Sequence, residues 1–356
     1  MQRRRFLSLP AVALAQPSTL FAGGAAPDLD RLAAQAADSA QVCSVSFAGL
    51  DAGEPAQARM VTRCGTVPEA PSAAVYQAAS LSKPVFAYLV LKLVGQKVLG
   101  LDEPVSRYLP DGYRHRQNLF RLHEPPVEDI VSADLLMRVT VRMLLTHSSG
   151  LPNWASSGPL DLAFEPGSRW RYSGEGYVLL QRAVEAATGE PLQELAQRLV
   201  FSPLGMRDTS YQLSEAVSAR LVGGTAASGK PLQLRFPFAV AAGSLYTSAG
   251  DYAAFMAAVL HDQTLVSRIV DGAVPVSRPL GLAWGLGWGV EQTPRGRNLW
   301  AWGNNPGYRA LAMASVDARR GLVVLTNSEN GMPVAKSLVQ AALPGEHGAL
   351  RFEMLQ

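Results

Sequence analysis

Hydrophobic positions along this chain recur with two periods, and the alternation between them predicts strands and helices in turn. Leu29 to Ala37 has helical spacing, and the alternating runs Val42 to Phe47 and Met60 to Val67 predict two strands, with Gly53 and Glu54 midway between them as a hairpin turn. A third short strand, Val75 to Ala79, leads into a long apolar helix from Ser80 to about Val94. Val139 to Leu145 predicts a short helix, and Tyr177 to Ala187 a longer one that Thr188 and Gly189 end. Asp251 to Leu260 is again helical. Trp284 to Val290, Trp300 to Trp302, Leu311 to Val316 and Leu322 to Thr326 are strand-like, and Val334 to Leu343 closes as a helix.

Strands early and late with helices between them imply one antiparallel sheet built from both chain ends, with helices on both faces and a mostly helical insertion: an α/β fold of the α+β type. The expected division is a single domain over residues 27–345. Its sheet lobe comes from about 27–100 and 280–345 and its helical lobe from about 101–279, with 346–356 as a C-terminal tail. No internal repeat or low-complexity linker suggests a string of modules.

The first 26 residues stand apart. Arg3, Arg4 and Arg5 precede Phe6 and Leu7, a mildly apolar stretch follows to Phe21, and small residues fill Ala22 to Ala26. That order reads as an export signal of twin-arginine type, which makes the bacterial periplasm the expected location. No later segment has the uninterrupted apolar length of a membrane span, so the mature protein is expected to be soluble.

Charge narrows the partners. The 356 residues carry 32 Lys and Arg against 29 Asp and Glu, a formal net charge of +3, with no basic stripe outside the leader. Nucleic acid is therefore not an expected partner. Two cysteines, Cys43 and Cys64, exclude a disulfide framework or a cysteine-rich metal site. The hairpin would set them opposite each other, as a bridge or as two buried thiols.

Chemistry concentrates at Ala78-Ala79-Ser80-Leu81-Ser82-Lys83-Pro84. Ser-x-x-Lys on a helix puts hydroxyl and amine on one face, and the helix start favours developing negative charge. Burial by Val85, Phe86 and Tyr88 would lower the proton affinity of Lys83, as a base for Ser80 requires. Lys83 is one of five lysines, with Lys92, Lys97, Lys230 and Lys336. An N-capping serine beside a solvated lysine gives the same pattern, so the motif alone decides little.

Here the sequence resembles the family of serine β-lactamases, penicillin-binding proteins and related esterases, especially its class C branch. Leu144 to Pro152, Glu165-Pro166-Gly167 leading to Tyr172-Ser173-Gly174, Pro203 to Thr209 and Gly243 to Asp251 are each similar to recurring family segments, in the same order. The resemblance runs from about Val75 to about Asn327 and implies a β-lactamase/transpeptidase-like fold. It also implies an acyl-enzyme mechanism in which Ser80 attacks, Lys83 and Tyr172 carry protons, and the backbone amides of Ser80 and Asn304 form an oxyanion hole. Lys83 as an ammonium would help Tyr172 ionise.

Two departures bear on substrate. The family's Lys or His, any residue, then Gly is matched by Ala301-Trp302-Gly303, so the basic residue that helps hold a substrate carboxylate is missing. Gly303 still permits close approach of backbone, while the Trp302 ring suits an apolar acyl or alcohol group. Gly174 replaces the usual asparagine, removing an amide that would contact a substrate's amide side chain. Both changes favour small carboxylic esters over a β-lactamase or D-amino-acid peptidase, for which Arg309 is a candidate cation. A catalytically silent binder of cell-wall fragments or of a partner protein is the alternative from another class.

The expected partner is thus a small-molecule ester or amide, with no cofactor and no metal; oligomeric state is left open. His115, His123, His147, His261 and His347 lack metal-ligand spacing, and His147 is expected to fix the loop near Gly150. Trp154, Trp170, Trp284 and Trp288 are candidates to line the pocket, with core packing as the default for each.

Overall fold

The computed structural model describes residues 27–64, 74–117, 119, 125–155, 158–232, 234–236 and 238–355. The expected leader and His123 lie outside them. Helix α1 (Leu29–Ala40) opens the described chain, and its Asp28 cap accepts from Arg31 N. Strand β1 (Ser44–Asp51) turns through Gly53, at φ +89°, into β2 (Glu54–Pro55), and β3 (Arg59–Thr62) follows. β3 pairs with the first half of β1, Ser44 opposite Thr62. That register places Cys43 and Cys64 just beyond the last pair, and they are bridged with their Cα atoms 5.3 Å apart. The open alternative of two buried thiols is thereby excluded. The strand expected to run to Val67 stops at Thr62, and Val67 lies outside the described residues.

Next come β4 (Tyr76–Ala79) and α2 (Ser82–Gly95), then a region of short elements. These are the ribbon β5 (Tyr113–Arg116) and β6 (Glu128–Val131), followed by α3 (Ala133–Met137) and α4 (Val141–Leu145). Helix α5 (Gly174–Thr188) ends at Gly189 in the left-handed region, φ 71°, before α6 (Leu192–Ala196) and α7 (Glu215–Ser218). Strand β7 (Leu245–Thr247) pairs with β4, and α8 (Ala249–His261) and α9 (Gln263–Asp271) lead back to the sheet.

The sheet is completed by β8 (Val274–Ser277), β9 (Leu282–Trp284), β10 (Gly289–Thr293), β11 (Gly296–Asn305), β12 (Tyr308–Ser315) and β13 (Arg320–Thr326). Its order is β2-β1-β13-β12-β11-β10-β9-β8 with β3 beside β1, so strands from both chain ends meet at the antiparallel β1–β13 pair. Helix α10 (Gly331–Ala342) packs with α1 on one face, while β4, α2 and α8 lie on the other.

Burial on both faces explains why these strands read as nearly continuous apolar runs. On β12, Leu311 and Met313 face α1 and α10, whereas Ala310, Ala312 and Ala314 face the opposite layer. On β11, Trp300 and Trp302 join the first set and Leu299 and Ala301 the second. Small residues on the second face let β4 approach the sheet closely. Gly303 is the extreme case, because a Cβ there would run into the Ala78 carbonyl oxygen.

Two expectations need correction. The run Trp284 to Val290 is two strands joined by a turn: Gly287 has φ +90°, and a Cβ on Gly285 would meet the Ile269 carbonyl. The segment 346–356 packs back onto the sheet layer as far as Leu355 rather than trailing away. Its Phe352 ring lies 5.6 Å from Trp300 and 5.8 Å from Trp302, and buried His347 meets Glu291 at 2.9 Å. Among the described residues, no helix is long and apolar enough to cross a membrane.

Candidate active site

Ser80 lies in the turn between β4 and α2, one residue before the Leu81 cap, so the helix begins slightly later than the sequence suggests. Ala79 adopts φ 50°, an unfavourable value for a residue with a side chain, and this bend carries Ser80 out of the strand. Neighbouring groups hold the bend. The Ser82 hydroxyl donates to Ala79 O at 2.5 Å and accepts from Leu245 N at 2.9 Å. The hydroxyls of Tyr211 and Tyr252 donate to Ser82 O and Leu81 O at 2.8 and 3.2 Å.

One turn along, Lys83 is 1% exposed. Its Nζ lies 3.0 Å from Ser80 Oγ and donates to Ala242 O at 2.6 Å. Burial without a compensating carboxylate lowers its pKa to about 7, so near neutral pH a large fraction carries a free lone pair. The faces of Tyr172 and Tyr177, with centroids 4.8 and 5.7 Å from Nζ, favour the ammonium and offset part of that burial. A neutral amine can donate to Ala242 O while accepting the Ser80 proton.

Tyr172 shares a hydrogen bond with Ser80, and burial raises its pKa above the ordinary tyrosine value. The expected phenolate is therefore not the resting form; Tyr172 stands as a neutral phenol beside a lysine poised to lose its proton. Its ring packs between His147 at 4.4 Å and Trp302 at 5.0 Å.

His147 does more than fix its own loop. Its backbone sits at φ 55°, and its Nδ1 accepts from Ser173 N at 3.1 Å, tying it to the residue after Tyr172. The proton then resides on Nε2, which has no partner among the described residues, and burial with nearby Lys83 holds the ring neutral. Sequence reading also missed Ala242, whose carbonyl anchors Lys83, and Ser82; neither backbone acceptors nor a second serine in a motif announce themselves by residue type.

Of the substrate-pocket candidates, Gly303 packs against Ala78 and Ala79, which brings the edge of β11 and exposed Asn304 beside the Ser80 turn. Ala301 faces the layer of α2 and α8. Trp302 is 4% exposed, with its ring stacked on Trp300 at 5.5 Å and 19°, so it supports Tyr172 rather than standing open as a binding wall. Arg309, the candidate cation, is half-buried and donates to the carbonyls of Asn305 and Tyr308 at 3.0 and 2.8 Å. Trp284 and Trp288 are buried, while Trp154 and Trp170 are half-buried.

A further unpredicted cluster lies beneath Gly174. Buried His115 meets Asp129 at 2.8 Å and Glu175 at 3.3 Å, and the two carboxylates hold its proton more firmly than usual although burial opposes them. Among the described residues, no group of three or more acidic, histidine or cysteine side chains has the geometry of a metal site.

Half-buried Ser80 and buried Lys83 and Tyr172 thus converge beside the antiparallel sheet, an arrangement able to support nucleophilic acyl transfer. The chain belongs to the Beta-lactamase family, whose profile matches residues 29–344. Esterase EstB of Burkholderia gladioli is 35% identical over 170 residues, 40% of this chain and 39% of that protein. Penicillin-binding protein 4* of Bacillus subtilis is 26% identical over 310 residues, 75% of this chain and 64% of that protein. The matches thus span less than two thirds of either relative. Among solved structures, the D-amino acid amidase from Ochrobactrum anthropi SV3 superposes with a TM-score of 0.69 at 22% identity, covering 88% of this chain and 98% of that one. The D-alanine carboxypeptidase AmpC from Burkholderia cenocepacia does so at 0.69 and 17%, covering 88% and 99%. The fold is β-lactamase/transpeptidase-like, as the sequence led one to expect.

Proposed function

We propose that the protein hydrolyses small carboxylic esters through an acyl-enzyme on Ser80. The observation that carries this reading is the 3.0 Å approach of a desolvated Lys83 amine to the Ser80 hydroxyl. Lys83 takes the hydroxyl proton as Ser80 Oγ bonds to the carbonyl carbon, and the oxyanion lies against the amides of Ser80 and Asn304. Tyr172 passes its proton to the departing alkoxide and recovers one from Lys83. Water then attacks the acyl-enzyme, and the same groups run in reverse to release the acid.

Substrate choice follows from charge. A β-lactam or a D-amino-acid peptide brings a carboxylate that needs a cation, and Ala301 and buried Trp302 supply none. The Arg309 guanidinium is engaged with two backbone carbonyls, and burial weakens its hold on charge. An ester lacks that requirement, and the similarity to EstB points the same way. The test compares nitrophenyl ester and nitrocefin turnover by the protein and its Ser80→Ala variant. Ester turnover well above that of nitrocefin, abolished by the substitution, is expected; the reverse order would replace this reading with a β-lactamase. We extend the proposal to export into an oxidising compartment, which the Cys43–Cys64 bridge supports.

A further inference from the structure

Gly174 opens α5, two residues beyond Tyr172. A Cβ built there would lie 2.5 Å from Cη2 and 2.6 Å from Cζ2 of Trp154, and 2.8 Å from the Asn153 carbonyl oxygen. Its backbone is not in the left-handed region, so an ordinary residue would be conformationally acceptable. Glycine at this position therefore answers to the indole edge and the Asn153 carbonyl, which together occupy the space a side chain would take.

That indole is held in place. Asn153 O accepts from both Gly174 N and Glu175 N at 3.0 Å, Asn153 Oδ1 accepts from Gly174 N at 3.0 Å, and Ser173 Oγ donates to Pro152 O at 2.7 Å. At the residue after Trp154, Ala155 N donates to Glu175 Oε1 at 2.9 Å. The other Glu175 oxygen lies 3.3 Å from Nε2 of His115, whose ring Asp129 orients through Nδ1. Every residue flanking Trp154 is thus stitched to the start of α5, and the half-buried ring also packs on the main core. It is a fixed wall and not a lid.

We propose that Trp154 is a specificity-determining residue, closing the acyl side of the site beside Gly174 so that compact acyl groups are turned over in preference to long ones. The proposal rests on the reading of Ser80 as the acylated nucleophile. In that reading Tyr172 faces the leaving group and the two amides face the oxyanion. The acyl chain is the remaining substituent, and its length is what a rigid ring next to Gly174 restricts.

The test uses the full chain and its Trp154→Ala and Trp154→Leu variants, the second losing less apolar packing if the first does not fold. Two series are assayed: nitrophenyl esters from acetate to decanoate, and acetate esters of alcohols of increasing size. The wild type is expected to lose kcat/KM along the acyl series, and the variants to regain at least ~10-fold for decanoate relative to acetate. An unchanged acyl profile overturns the inference and leaves the hydrolase reading standing. A shift confined to the alcohol series contradicts the acyl placement. Absence of both ester turnover and a fluorophosphonate adduct on Ser80 removes the reading and the inference together.

A readout independent of activity completes the test. Gly174→Asn is expected to lower Tm by about 4 °C through collision with the indole and the Asn153 carbonyl, and adding Trp154→Ala to recover the indole's share of that loss while the carbonyl's share remains. No loss in the single variant would show that the ring is not seated against Gly174 and would overturn the inference.

Discussion

Lys83 Nζ sits 3.0 Å from the Ser80 hydroxyl with its second contact, at 2.6 Å, to the neutral carbonyl of Ala242. A buried amine given no counter-charge is costly for the fold and useful for chemistry, since the burial that penalises its ammonium also frees the lone pair Ser80 needs.

In the proposed mechanism activity depends on the Lys83 proton. With its pKa lowered to about 7, kcat/KM for an ester is expected to rise through that pH, in proportion to the free amine. Stability shifts in the same direction. The unfolded lysine keeps its proton to about 10.5, so between 7 and 10.5 the unfolded chain binds more protons and stability rises with pH. Below 7 both states are charged and the folded one carries the full penalty. Rate profiles and denaturant melts across pH 5 to 10 check both trends.

Substituting the amine separates function from folding. Lys83→Met is expected to reduce kcat/KM by roughly 10³-fold or more while raising stability below pH 7 by roughly 2 kcal/mol. Tyr172→Phe keeps the ring between His147 and Trp302 but removes the proton donor, and a loss of roughly 10²- to 10⁴-fold in kcat is expected. Steady-state kinetics and urea melts on both variants measure these effects.

Gly303→Ala addresses the oxyanion site. The added methyl meets the Ala78 carbonyl oxygen, a backbone atom that cannot swing aside, so β11 must move away from the Ser80 turn. The expected cost is about 1–3 kcal/mol of stability, and a kcat loss of roughly 10²-fold as the Asn304 amide is displaced. The comparison variant Gly189→Ala, at the end of α5, has open space for its Cβ but sits at φ 71°, so it is expected to lower stability while leaving kcat unchanged.

The bridge between Cys43 and Cys64 closes a loop with a sequence separation of 21 at the sheet edge. The Cys43→Ala/Cys64→Ala double variant is expected to lose about 3 kcal/mol while retaining kcat. Thermal melts with and without reductant, beside an ester assay, give both quantities.

How legible all this was depended on the kind of signal. Strands buried on both faces announce themselves as apolar runs, and α5 ends at a glycine because its C-cap needs a left-handed residue, so these elements could be read directly. Ser80 and Lys83 share a face because their spacing is local. Their meeting with Tyr172 depends on contacts across the chain, visible only through family resemblance. The Trp284–Val290 turn was missed because Gly285 and Gly287 stand among large apolar residues that mask the bend. Trp154 was one of four tryptophans named as candidates for the pocket, but its seat against Gly174 and the His115–Asp129–Glu175 cluster were not foreseen, because each depends on which loop lies over Gly174, and no period or spacing in the sequence records that.

The most direct measurement is the intact mass of the protein quenched during turnover of a nitrophenyl ester, followed by peptide mapping. One acyl group on Ser80, forming faster as pH rises through about 7 and absent from Ser80→Ala, is the predicted result. An acyl group on another residue, or ester turnover undiminished in Ser80→Ala, would contradict the account.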